Sequence, residues 1–163
     1  MGPPVDDLTI RPWAAFSAAD LLAAKREFNP DDLAERCRGI DRYGDEWFVA
    51  TVGDAVIGWI LIKWRGKPTH PEYPDLEDVW VTESRRGLGV GTTLLHFAEQ
   101  QARRRGFTRI GLAVNPTENQ RAKALYERLG YTPTGEDTYV DDVYDGHEDW
   151  VIDLEKRISD LPA

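Results

Sequence analysis

"SRRGLGVGTTLL", residues 84 to 95, sets Arg85 and Arg86 against Gly87, Gly89 and Gly91 and then turns into a helical pattern. Alternating glycines let a backbone approach a ligand that side chains would hold off, and the neighbouring positive charge favours an anion there. Three chemistries compete. A dinucleotide loop needs G-x-G-x-x-G, but these glycines give G-x-G-x-G and position 92 is Thr. A nucleoside-triphosphate loop needs Gly-Lys-Ser/Thr, and no lysine lies between Lys67 and Lys123. The third is a strand–turn–helix in which glycine amides and the free N–H groups of the helix start cradle a pyrophosphate. It requires only small residues, a helix and a nearby cation, all present here. The competing bland reading is a glycine-rich turn that holds nothing.

The surroundings supply the strand and the helix. Leu76–Val81 is a β-rich run, and residues 89–105 carry Leu94, Leu95, Ala98 and Ala102 on one stripe with Gly106 as the stop. Arg109–Val114 reads as the next strand, and Asn119 caps a second helix carrying Ala122, Leu125, Tyr126 and Leu129, closed by Gly130. Upstream, Leu8–Trp13 is a short edge strand, Ser17 caps a helix to Arg26, and Asn29-Pro30-Asp31 restarts one to about Arg42. Glu46–Thr51 and Val56–Lys63 form a hairpin, and 67–74, with three prolines, is a loop. Two strands follow, around Glu136–Val143 and Trp150–Leu154. Helices join the central strands and hairpins flank them, so a mixed α/β sheet covered by helices is expected.

The formal charge of −9 argues against a nucleic-acid binder, which needs a basic face to replace counterions. No apolar run approaches the length that spans a bilayer, and MGPPVDD lacks an apolar signal core, so a cytoplasmic setting with no membrane partner is expected. Cys37, the single cysteine, agrees with that compartment. Charge is unevenly spread. Arg85, Arg86, Arg103, Arg104, Arg105 and Arg109 cluster, whereas acids crowd 72–78 and 136–149. One basic region on an acidic chain suits an anionic cofactor and a cationic second ligand; a solvated surface is the plain alternative for any one of these charges. His70, His96 and His147 are scattered, so no metal is expected. The six tryptophans mostly fit strands and the core, with Trp64 and Trp80 also suited to an acceptor pocket.

The stretch "VWVTESRRGLGVGTTLL" resembles the cofactor motif of the GNAT superfamily of N-acetyltransferases, Arg/Gln-x-x-Gly-x-Gly/Ala, with Arg86, Gly89 and Gly91 in its fixed places. "ARRRGFTRIGLAVNPTENQRAKALYERLGY" is similar to the strand and helix that follow in that superfamily, above all Asn119-x-x-Ala122-x-x-Leu125-Tyr126 with Gly130-Tyr131. The likeness is strong over 76–131 and weaker over the rest of the chain. Two departures stand out: Glu83 replaces a proline often found after the motif strand, and one extra residue sits between Val114 and Asn119.

The resemblance implies a single GNAT domain over residues 1–163, with 1–7 a loose tail. Its sheet would be mixed, mostly antiparallel and twisted, of six to seven strands, with a splayed central parallel pair and about four flanking helices. It implies acetyl-CoA as acetyl donor, its pyrophosphate held by Arg86 and by backbone amides. The cofactor contacts would be Val79, Val81, Arg86, Gly87, Leu88, Gly89, Val90, Gly91, Thr92, Asn119 and Tyr126. An N–H near Val81 would polarise the thioester carbonyl. Tyr126 would be the general acid, a phenol that keeps its proton at neutral pH. Glu77 is the first choice of base, with Asp75, Asp78 or a water relay as alternatives; strand alternation puts Asp75 and Glu77 on one face and Asp78 opposite. The implied reaction is acetylation of a primary amine on a small cationic acceptor, by direct attack in a ternary complex. A CoA-sensing module without catalysis is the alternative, and homodimerisation through C-terminal strands is a further arrangement the family uses.

Overall fold

The computed structural model describes residues 7–159, so residues 1–6 of the expected tail lie outside the described residues. Strand β1 (Leu8–Pro12) leads to helices α1 (Ala18–Ala24) and α2 (Pro30–Tyr43). Asn29 builds a full capping box with Asp32 at the start of α2, Pro30 supplies the first-turn φ, and Gly44 ends the helix at φ 74. Strands β2 (Glu46–Val52), β3 (Ala55–Lys63) and β4 (Asp75–Val81) follow, then α3 (Val90–Arg104), β5 (Arg109–Val114) and α4 (Gln120–Arg128). The chain closes with β6 (Thr132–Pro133), β7 (Tyr139–Tyr144) and β8 (His147–Arg157). The two-residue β6 has no counterpart in the sequence reading. The last hairpin also differs from its expected bounds: β7 begins three residues later, and β8 is longer at both ends.

The strands form one sheet in the order β1-β2-β3-β4-β5-β8-β6, with β7 pairing the far part of β8. All pairings are antiparallel except β4 with β5. Alternation along β2 and β3 sends Phe48, Ala50, Ile60 and Ile62 to one face and Trp47, Val49, Trp59 and Leu61 to the other. The first set packs under α3 and α4, with Leu94, Leu95, Ala98, Ala102 and Tyr126; the second packs under α1 and α2 with Leu21 and Phe28. Each face therefore has its own apolar core, which is what a sheet covered on both sides requires.

Two irregularities place the site. β4 and β5 pair only at Asp75–Gly111 and Leu76–Leu112, then part, although both strands continue. The cause lies on the other edge of β4. Trp80 faces Trp59 and Glu77 faces Leu61, so Asp78 and Val79 together oppose the single residue Ile60. This β-bulge bends β4 and increases its twist, carrying its far end away from β5. Asp78 takes the strain, with φ at 49. Gly58 makes room on β3, since a Cβ there would stand 2.6 Å from the Trp80 carbonyl oxygen.

The bulge corrects the expected strand alternation. Asp75 pairs with Lys63 and Glu77 with Leu61, both on the α1/α2 face, and Asp78 reaches Trp59 on that same face. The extra residue cancels the reversal that simple alternation assigns to Asp78. All three acids share one face.

Candidate functional site

The parting of β4 and β5 leaves strand edge unpaired. Thr82 N–H donates to the Ile57 carbonyl at 2.7 Å, so the preceding pair, Gly58 with Val81, is the non-bonded kind. The N–H and C=O of Val81 therefore turn away from β3, toward the space β5 has left. The carbonyl's partner confirms the aim: Arg86 Nε donates to it at 3.0 Å.

Arg86 stands at the head of the glycine loop. Gly87 and Gly89 have φ of 78 and 87, values L-residues rarely adopt, and a Cβ on Gly89 would project into open space. Gly89 caps α3 without a side-chain hydrogen bond, and no acid occupies the first turn. The leading N–H groups over Val90, Gly91 and Thr92 thus lack a side-chain acceptor at the positive end of a 15-residue helix. Leu88 is half-buried between the two left-handed glycines. Gly91 serves differently: its backbone is ordinary, and a Cβ would sit 3.5 Å from Leu125 and 3.8 Å from Val81, where α3 meets α4 and β4. Arg121, absent from the expected residues, brings its guanidinium within 3.7 Å of the Cβ position of Gly87. A cation in the first turn opposes the helix dipole, a signal legible in the sequence. Open glycine backbone, an uncapped helix start and two arginines fit a pyrophosphate.

Asn119 caps α4 as expected, accepting from Ala122 N–H at 3.4 Å. The lengthened loop before it is closed by Asn115, whose Oδ1 accepts from Thr117 and Glu118 N–H at 3.1 and 2.9 Å. Two turns along α4, Tyr126 is 8% exposed and lines a cleft of about 1680 Å³ between α2 and the β7–β8 hairpin. Val79, Leu112 and Ala113 bound that cleft at the strand gap, and Tyr126 with Asp141 also lines an adjoining pocket of about 390 Å³. Burial, then the negative charge of Asp78, push the Tyr126 phenol up to about 12.

The three acids of β4 meet different partners. Glu77 Oε2 lies 2.7 Å from Lys63 Nζ on the cleft wall. Asp78 accepts from Arg36 Nη2, from Trp59 Nε1 at 3.1 Å and from Lys25 Nζ at 3.4 Å. Burial alone would raise its pKa, but the Arg36 and Lys25 charges outweigh it and hold the carboxyl below its usual range. A carboxyl held that low is a weak base. Asp75 is buried deep in the cleft floor, 3.0 Å from Lys67, which also donates to Asp153 at 2.9 Å. Burial raises its pKa despite the lysine.

Other sequence expectations sort by position. Neither Trp64 nor Trp80 lines the cleft: Trp64 stacks on Phe107 and bonds Glu46, and Trp80 packs on Trp59. Trp47 and Trp59 are core, whereas Trp150 is exposed. Cys37 is half-buried in α2. His70, Glu136 and Asp153 bring ligand atoms within 4.8 Å of one another, but Asp153 already accepts from Lys67, Thr69 and Tyr139. Among the described residues no helix is long and apolar enough to cross a membrane.

The sequence profile of the Acetyltransferase (GNAT) family matches residues 10–131. An uncharacterized N-acetyltransferase of Methanocaldococcus jannaschii is 30% identical over 89 residues, 53% of this chain and 39% of that protein, so the match spans well under half of the relative's length. The N-acetyltransferase structure from Staphylococcus aureus Mu50 superposes with a TM-score of 0.72 at 17% identity, covering 94% of this chain and 99% of that one. A Salmonella typhimurium structure, described with its cofactor acetyl-CoA, has a TM-score of 0.66 at 20% identity, over 97% of this chain and 98% of that one. At such identities the structural likeness establishes the fold.

Proposed function

The chain belongs to the acetyltransferase (GNAT) family, and from that premise we propose that it is an acetyl-CoA-dependent N-acetyltransferase acting on a primary amine. The observation that carries the proposal is the parting of β4 and β5 after two paired residues, beside a glycine loop shaped for a pyrophosphate. Acetyl-CoA, when bound, supplies an acetyl thioester. Arg86, Arg121 and the N–H groups from Leu88 to Thr92 hold its pyrophosphate, with Asn119 and Val79 beside the arm. The Val81 N–H, free of β3, donates to the thioester oxygen and steadies charge developing there. Tyr126, protonated over the whole neutral range, gives its proton to the departing thiolate. The amine enters from the cleft and attacks directly, with both substrates bound.

Glu77 is the proposed base, acting through water, because Arg36 and Lys25 hold Asp78 below the usual carboxylate range and Asp75 lies at the far end of β4. The acceptor's positive charge is read by acids of the β7–β8 hairpin. Those of β4 each pair with a lysine or arginine within 4 Å, whereas partial burial, Glu77, Asp149 and Asp142 together outweigh the more distant Lys67 and raise the pKa of Asp141. An ammonium group would relieve that repulsion.

The proposed reaction is tested by following CoA release with antibiotic, polyamine, amino-acid and peptide amines. Saturable turnover with one group supports the assignment. CoA binding without turnover on any group would favour a CoA-sensing module instead, and no CoA binding would remove both.

A further inference from the structure

We propose that Arg36 is a positioning residue for acetyl transfer: from α2 it holds Asp78 in the β4 bulge and thereby sets how the strand end carrying Val81 enters the gap. The inference rests on the functional reading above. A non-glycine residue at φ 49 inside a strand persists only where its surroundings over-determine it. Three elements do so for Asp78. Lys25 follows α1, Trp59 comes from β3, and Arg36 comes from the middle of α2.

Of the two cations, Arg36 is the better fixed. Its side chain is 12% exposed, and its guanidinium carbon lies 4.5, 5.1 and 5.6 Å from the ring centres of Trp47, Phe28 and Trp59. Aromatic faces hold a planar guanidinium by its faces and leave its in-plane donors to choose a partner. Nη2 takes Asp78, while Nη1 is buried with no hydrogen-bond partner. Such a cation serves its carboxylate at the expense of its own remaining donor. The carboxylate it serves sits at the residue that turns β4 away from β5, three positions before Val81. A surface ion pair between two long side chains would not fix backbone in this way.

A nuclear magnetic resonance titration tests this without requiring turnover. The readout is the additional shift of the Val81 amide with acetyl-CoA over that with CoA, which reports the contact to the acetyl carbonyl. Arg36→Met keeps an unbranched stem among the rings and removes the guanidinium. It should leave CoA affinity within about twofold and lose at least about half of the acetyl-specific shift. Asp78→Gly and Asp78→Ala both remove the carboxylate, but only glycine adopts the left-handed conformation unaided, so Gly should retain the shift where Ala loses it. That pair answers the question even if Arg36→Met fails to fold. A full acetyl-specific shift in Arg36→Met, or equal shifts in the Gly and Ala variants, overturns the inference alone. A wild type without CoA affinity overturns the functional reading and this inference with it.

Discussion

Arg86 Nε and the Val81 carbonyl oxygen, 3.0 Å apart, tie the glycine loop to the end of β4. The loop proposed to receive an anion and the strand edge proposed to receive an acyl group are thus joined by one hydrogen bond. An arginine fork has further donors beyond Nε, so Arg86 can hold this carbonyl and still present guanidinium nitrogens outward.

Arg86→Ala removes both contacts. A charge-assisted hydrogen bond contributes about 1.5–3 kcal/mol, so CoA affinity should fall by roughly 10- to 100-fold in calorimetric titration. Unchanged affinity would detach Arg86 from the cofactor.

Tyr126→Phe deletes one hydroxyl from a side chain whose ring packs against Tyr131 at 6.1 Å between centroids. The ring contact survives, so folding should too. A positioned general acid contributes about 10²–10⁴-fold, and turnover should drop by that order while CoA affinity stays put. Equal loss in both measurements would mark Tyr126 as packing.

Glu77→Gln keeps the shape of the side chain and abolishes its charge beside Lys63. If Glu77 relays a proton from the amine, kcat should fall by about 10²-fold at neutral pH and recover as pH rises and the amine deprotonates itself. A loss independent of pH would assign Glu77 to binding.

What the sequence shows of all this follows the range of each interaction. Asn29, Asn119, Gly89 and Gly106 act on their own helix ends, so caps and stops were readable one residue at a time. The bulge was not, because Asp78 becomes irregular only through the count of residues on β3 opposite it. For the same reason simple alternation gives Asp78 the wrong face, and Arg36, 42 positions away in sequence, carries no local sign of its partner. Trp64 illustrates the converse. Its aromatic character suits a pocket, but Phe107 and Arg105, distant in sequence, stack on its ring instead. β6 pairs only two residues and offers no periodicity to detect.

Glu99 is 1% exposed in α3 and accepts from Tyr131 Oη at 2.8 Å and from Lys156 Nζ at 2.9 Å. Lys156→Met leaves a buried carboxylate without its cation. Such breakage costs about 3–5 kcal/mol, to be read as a lower midpoint in urea unfolding. The double variant Lys156→Met with Glu99→Leu removes both charges and should regain most of that loss, although Tyr131 then lacks its acceptor.

His70 fastens the proline-rich loop before β4 to the segment before β7, through Nδ1 to Glu72 at 3.0 Å and Nε2 to Glu136 at 2.8 Å. Burial by itself would lower its pKa, but the two carboxylates, with Asp153 behind them, outweigh burial and hold it above the ordinary 6.5. A raised cationic pKa means that the folded state binds the proton more tightly than the unfolded state. The resulting stability is fully present below about pH 6.5 and is lost as pH rises through the folded value. Glu72 is shifted the opposite way by the same contact, so its contribution changes only in acid, outside this window. Thermal unfolding between pH 6 and 8 should therefore show a Tm that declines with pH in the wild type and declines less in His70→Gln. Equal slopes would mean that folding does not tighten the hold of His70 on its proton. Resistance to proteolysis within residues 64–74 should fall in parallel, because the clasp that holds this loop against the cleft loosens as the imidazolium loses its proton.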